Sequence, residues 1–150
     1  MRGRATLLPV LALVWAGVTI GGSLIAAPAK FGAPSIDMAT ALAVGREQFF
    51  WIWIAEGALC AALIGALVFR AVAARWWMWP PVAVFALQQL VLVPLLDART
   101  VRTIAGESVP ESNLHLVFTV LEFLKVGALV AAGIAALRSA PPEALRRPAS

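Results

Sequence analysis

The sequence predicts an all-α fold, an integral membrane four-helix bundle, from its composition, its hydropathy and the spacing of its apolar runs. Of 150 residues, 61% are hydrophobic and 13% charged, against roughly 45–50% and about 25% in soluble domains. A small soluble domain buries only about 60–70% of the surface its unfolded chain exposes. This much apolar material therefore needs a solvent other than water, and the mean hydropathy of +0.88 agrees. Four separable apolar stretches fill the chain. They place a single four-span transmembrane domain at 1–138 and a disordered cytoplasmic tail at 139–150, where Pro141, Pro142 and Pro148 fall.

The first span follows from the absence of charge between Ala5 and Ala29, ample at ~1.5 Å per residue for a hydrocarbon core of ~30 Å. Arg2 and Arg4 before it, with Ala27-Pro28-Ala29 after it, also have the form of a signal peptide. The apolar run from Leu7 to Ala27 exceeds the ~7–15 residues of a signal core, which favours a retained helix. Pro28 and Pro34 bracket a connector. Ser35 then caps a short outer-side helix running through Met38, Leu42 and Val44 toward Gly45 and Arg46.

The second span runs from about Phe49 to Phe69 and is interrupted once, by Glu56. A basic turn with Arg70 and Arg75 leads to Trp76, Trp77 and Trp79, then to Pro80 and Pro81, which suit a first helical turn because their missing N–H groups are orphans there anyway. The third span continues to about Leu96, bent at Pro94 through release of the Leu90 carbonyl. An amphipathic outer-side helix extends it to Ile104, and Gly106 stops it. Ser108 and Glu111 have capping-box spacing with Pro110 between them, so the fourth span starts there and ends at Arg138.

Arginine placement sets the orientation. Arg2, Arg4, Arg70, Arg75, Arg138, Arg146 and Arg147 fall on one side, while Lys30, Arg46, Arg99 and Arg102 fall on the other. The positive-inside rule makes the first side, with both termini, cytoplasmic, and the expected location is the cell (inner) membrane. Trp51 and Trp53 near the outer end, with Trp76, Trp77 and Trp79 near the inner end, match interfacial belts.

Several function classes are excluded or unsupported. A net charge of +4 and a pI near 10.6 suit nucleic acid only where basic residues cluster around stacking aromatics, and here they sit at helix ends, so no nucleic-acid partner is expected. Cys60 is alone, which rules out an intrachain disulfide, and it reads as a packing residue. His115 is the single histidine, which excludes bis-histidine haem. A catalytic zinc usually takes three protein ligands, and only His115, Glu122 and Glu56 could be gathered, so no metal is predicted. No Gly-rich phosphate loop, nucleophile elbow or HExxH occurs. No cofactor and no catalytic residue are assigned.

The informative residues are the polar ones inside the spans. An ionisable side chain in a bilayer costs ~2.5–3.5 kcal/mol on insertion scales, so each needs a partner or a purpose. Glu56, Glu122 and Lys125 are such residues, joined by Gln88 and Gln89. Counted from the outer ends of their spans, Glu56, Gln88 and Glu122 lie roughly 10–12 Å deep at ~1.5 Å per residue, and Thr19 shares that layer. His115, Thr119 and Glu122 stack on one face of span four, with Lys125 a step further. Gly57, Ala61 and Gly65 in span two, and Gly127, Ala131 and Ala135 in span four, form small-residue faces. They predict that these two spans pack together and bring Glu56 to Lys125.

Two readings of that layer compete. In one, Glu56, Glu122 and Lys125 are a buried ionic latch that fixes helix register. In the other, the layer floors an outward-facing pocket with Lys30, Arg46, Asp97, Arg99 and His115 around its mouth, binding a small ligand, a polar headgroup, a quinone-like molecule or a proton. Gly21-Gly22-Ser23, Ala27-Pro28-Ala29-Lys30-Phe31, Gly45-Arg46, Leu96-Asp97-Ala98-Arg99 and Leu114-His115 with Glu122 and Lys125 are similar to elements of a loosely defined group of small bacterial four-helix membrane proteins. The resemblance spans most of residues 15 to 130 and implies a fold but no reaction. The leading expectation is small-ligand or proton binding or transport. The alternatives are a non-catalytic accessory subunit of a larger membrane complex and a small membrane oxidoreductase with His115 and Glu122 in acid-base roles. The expected partners are the lipid bilayer and either a second copy in a homodimer or a larger membrane complex.

Overall fold

The computed structural model describes residues 3–69 and 76–138, with side chains over 7–68 and 76–138. The turn at Arg70 and Arg75, the side chains of Arg2 and Arg4, and the tail 139–150 lie outside the described residues. Four segments are long and apolar enough to cross a membrane: Leu7–Gly32, Met38–Val68, Trp76–Ile104 and Leu114–Arg138. Apart from the amphipathic stretch Val93–Ile104 they are apolar around most of their circumference, and large side chains such as Trp51, Leu90 and Leu116 stand exposed on the outside of the bundle.

The first segment is α1 (Gly3–Thr19), continued by a π-helical stretch (Ile20–Ala26), a short α-turn (Ala27–Ala29) and a 3-10 turn (Lys30–Gly32). The second is one unbroken helix, α2 (Met38–Phe69). The third is a 3-10 turn (Trp76–Met78), α3 (Trp79–Leu87), a π-helical stretch (Gln88–Leu92) and α4 (Val93–Ile104). The fourth is α5 (Leu114–Arg138).

Both π-helical stretches end two residues before a proline, Pro28 in one and Pro94 in the other. A proline inside a helix has no N–H for the carbonyl one turn back, and here the ladder is relieved by widening to the π pattern. The N–H of Ala27 donates to Gly22 O and that of Val93 to Gln88 O, each five residues back. The bend expected at Pro94 is thus a widened turn beginning at Gln88. Pro80 and Pro81 occupy the start of α3.

The separate outer-side helix expected before span two does not exist, because that stretch is the first part of α2. Its cap is Asp37 instead of Ser35. The Thr40 N–H and hydroxyl donate to the Asp37 carboxylate at 2.8 and 2.9 Å, and these bonds hold the Asp37 carboxyl below its ordinary value. The helix expected after span three is likewise continuous with it through α4. Its end is a Schellman motif, with Gly106 at φ +78, Gly106 N–H on Thr103 O and Glu107 N–H on Arg102 O, both at 3.0 Å.

The capping box expected at Ser108 and Glu111 is not formed, and α5 starts at Leu114. The chain before it is held by other bonds. Arg102 Nε lies 2.6 Å from Glu107 Oε2, Arg99 donates to the Pro110 carbonyl, and Ser112 Oγ accepts from the Leu114 N–H at 3.2 Å.

Short connections make consecutive segments neighbours, so the bundle closes in chain order. Segment one packs between α2 and α5, and segment three also touches both. This corrects the expected pairing of spans two and four, which lie on a diagonal. Their small-residue faces do not meet: a Cβ built on Gly57 or Gly127 has no neighbour within 4 Å, and Ala61 and Ala131 are exposed. Close approach is made by other glycines. A Cβ on Gly22 would lie 2.8 Å from Ile52, and one on Gly133 would lie 2.9 Å from Leu13.

The apolar core occupies the Met78 end of the bundle, around Leu8, Ala12, Trp15, Leu63, Leu129 and Ala136. Trp15 meets the edge of Phe85 at 5.4 Å between centroids and closes that core toward the polar layer.

Candidate functional site

The polar layer sits directly above Trp15 and Phe85. Thr19 is the last residue of α1, one turn from Trp15, whose carbonyl oxygen is 3.1 Å from the Thr19 hydroxyl. The same hydroxyl donates to Glu56 Oε1. On its other oxygen, Oε2, Glu56 accepts from Lys125 Nζ at 2.8 Å. Lys125 also reaches both oxygens of Glu122, at 3.3 and 3.2 Å. Its remaining side faces the Phe85 ring, 5.5 Å from the centroid. Thr19, Glu56, Gln88, Glu122 and Lys125 are all at most 2% exposed, so they form a dry cluster drawn from all four segments.

The diagonal position of α2 and α5 explains why a lysine makes the link. Helices packed side by side sit 8–10 Å apart, and a diagonal is longer, which suits the four-carbon stem of Lys125. Gln88 enters from the π-helical stretch of segment three. Its Nε2 donates to the Phe118 carbonyl at 3.4 Å, while its Oε1, like Glu122 Oε2, accepts no hydrogen bond. Gln89, one residue on, is half-buried and outside the cluster.

At the Arg46 end a cavity of about 430 Å3 opens beside this cluster. Glu122, Thr119 and His115 line it at successive levels of α5. Of the buried ionisable groups only Glu122 borders the cavity; Glu56 and Lys125 stand behind it. Phe31, Phe49, Phe118 and Phe123 supply most of the aromatic wall. Thr119 returns its hydroxyl to the His115 carbonyl at 2.9 Å, which leaves Glu122 as the strong polar group facing the space.

The mouth carries Lys30, Arg46, Asp97 and His115. Arg46 grips Asp97 through Nε at 2.5 Å and Nη2 at 3.1 Å, joining α2 to α4. Lys30 meets Gln48 Oε1 at 3.3 Å and lies over Phe31 and Phe49, 5.3 and 5.6 Å from their centroids. Arg99, expected at the mouth, instead turns away to the Pro110 carbonyl.

Gln48 was not among the expected residues. Its Nε2 donates to Gly22 O at 3.1 Å, satisfying a carbonyl of the widened stretch. Gln48 and Ile52 are one turn apart on α2 and both lie against Gly22. The sequence signal for this contact is the Gly21-Gly22 pair inside an apolar run, where only a missing Cβ admits such an approach. The phenylalanine wall had no sequence signal beyond hydrophobicity.

Among the described residues no group of three or more His, Cys, Asp or Glu side chains is arranged to hold a metal ion. No protein-family model, curated protein or solved structure matches the chain.

Proposed function

We propose that this chain is a multi-pass protein of the cell (inner) membrane that binds a small amphipathic ligand in an outward-facing intramembrane pocket. The observation that carries this reading is the cavity of about 430 Å3 with one buried carboxyl, Glu122, on its wall. Ligand sites are typically concave, about 300–1,000 Å3, mainly apolar, with a few fixed polar groups. Four segments of spanning length and an apolar exterior support the bilayer as solvent. The arginine distribution supports cytoplasmic termini and an outward-facing Arg46 end.

In this reading the two functions of the polar layer are divided. Glu56, Lys125 and Thr19 form a latch across the bundle, away from the cavity. Glu122 is the residue that meets the guest, and Lys30, His115 and the Arg46–Asp97 pair shape its entry. The pocket would distinguish this protein from a purely structural accessory subunit.

Native mass spectrometry of protein purified from its membrane tests the reading, with Thr119→Trp as a variant that fills the cavity. A small-molecule mass carried by wild type and lost from a folded Thr119→Trp supports a ligand site. The same mass on both, or none on either, counts against it.

A further inference from the structure

The buried cluster is unbalanced in charge. Glu56 and Glu122 bring two carboxyls and Lys125 one ammonium, and among the described residues no second cation pairs with them. Fully ionised, the group would hold an uncompensated negative charge where burial makes that costly. Hydrogen bonding indicates which carboxyl corrects it. Glu56 has a donor on each oxygen, Thr19 on Oε1 and Lys125 on Oε2. Glu122 has only the longer contacts to Lys125, and its Oε2 accepts no hydrogen bond.

Gln88 shares this buried layer, and its Oε1 accepts no hydrogen bond. A proton on Glu122 makes the cluster neutral and leaves the Glu56–Lys125 pair intact.

We propose that Glu122 carries this proton in the empty pocket and exchanges it for the ammonium group of an amphipathic organic cation seated among the phenylalanines. In that exchange the Glu122 O–H bond breaks, its electron pair stays on the carboxylate, and the proton leaves to water at the mouth. One positive charge enters and one departs, so the buried charge does not change.

The wall suits such a guest. Cations are attracted to aromatic ring faces, and Lys30 Nζ already rests over Phe49. The Arg46 charge is answered by Asp97. Lys30 has no carboxylate partner among the described residues, which sets the preferred place for a ligand cation at the Glu122 end. The groups facing Glu122 are Glu56 on α2, Gln88 on segment three and Lys125 on α5. Cys60 is a buried thiol one turn from Glu56 on α2. Thr19 completes the cluster from segment one, and Lys30, Arg46, Asp97 and His115 line the cavity side.

The inference rests on the cavity being a ligand site, and two probes separate its failure from the failure of that reading. Benzyltrimethylammonium is a permanent cation, and neopentylbenzene is its neutral isostere. Full-length protein in nanodiscs at weakly buffered pH 6 is mixed with each, and a pH-indicator dye and the Tm are read. The cation should raise Tm and release about one proton per protein. Its affinity should rise with pH as fewer protons compete. Glu122→Gln, which copies the protonated form, should release none and bind the cation at least about tenfold more weakly, whereas Gly127→Ala, outside the pocket, should still release its proton.

Binding of the cation without proton release, or release from Glu122→Gln, overturns the exchange. Equal stabilisation by the neutral isostere overturns it too but leaves the pocket. No shift with either probe overturns both. Infrared spectroscopy on wild type provides a check independent of any variant: a protonated-carboxyl carbonyl band should be present in the empty protein and vanish on saturation with the cation, and its persistence overturns the exchange.

Discussion

Lys125 Nζ stands 2.8 Å from Glu56 Oε2, joining positions 69 residues apart across the diagonal of the bundle. The helices that carry them are not packed as neighbours. Register between α2 and α5 is therefore set by this pair, by Thr19 and by the segments on either side, with no direct helix seam between them.

Removing one partner of this pair leaves an uncompensated buried charge. Lys125→Met should destabilise the protein by about 3–5 kcal/mol, the usual cost of breaking a buried pair from one side. Glu56→Gln should also destabilise, because Lys125 then keeps only its longer contacts to Glu122. The double variant Glu56→Gln with Lys125→Met removes both charges and should recover most of the loss. Thermal melts in detergent micelles check this, and additive losses in the double variant would show that the two residues do not act as a pair.

Glu122→Gln should behave differently from Glu56→Gln. Replacing a protonated carboxyl with an amide of the same shape leaves the Glu56–Lys125 pair intact, so Tm should fall by much less than in Glu56→Gln. A loss as large as that of Glu56→Gln would mean that Glu122 is needed as a carboxylate.

Glycine substitutions test which helix faces are in contact. Gly22→Ala and Gly133→Ala drive a methyl to 2.8 and 2.9 Å from Ile52 and Leu13, an overpacking that should cost about 1–3 kcal/mol. Gly57→Ala and Gly127→Ala meet nothing within 4 Å and should be close to neutral. Melting the four variants side by side checks the order. The reverse ranking would restore a direct seam between spans two and four.

The start of α2 should respond to acid. Asp37 is fully exposed, and its carboxyl is held below its ordinary value by the Thr40 N–H and hydroxyl. A group whose folded pKa is depressed stabilises the fold above its unfolded pKa, and that help is lost as pH falls through the folded value. Hydrogen exchange at the first amides of α2 should therefore quicken, relative to the intrinsic rate, below the ordinary carboxylate range of about 4. In Asp37→Ala the quick exchange should already be present at neutral pH, with no further change on acidification.

Much of this architecture is legible from residue order, because span existence depends on local composition alone. Apolar runs of sufficient length, Pro80 and Pro81 at a helix start and Gly106 at a helix stop act through their own backbone, with little help from elsewhere. Caps were less legible. Ser35 and Asp37 are both good capping residues two positions apart, and the choice between them depends on where the chain leaves the Lys30–Gly32 turn. The Ser108 and Glu111 pattern failed because Arg99 and Arg102 hold the loop in another course.

The chain order by itself determined that titratable side chains would lie inside apolar helices at a shared depth, since depth follows from counting residues along a rod of fixed rise. Which helix faces would meet was decided by tertiary structure. The small-residue faces named the wrong seam, because the closure of the bundle in chain order, imposed by short connections, places α2 and α5 on a diagonal whatever their surfaces favour. That closure sets Lys125 between two carboxyls, brings Gln88 in through a widened turn and turns Glu122 alone toward the cavity. Apart from the Glu122–Lys125 contact, an i,i+3 step on one helix, those relations have no counterpart in local periodicity, because each depends on how whole helices are arranged about a common axis.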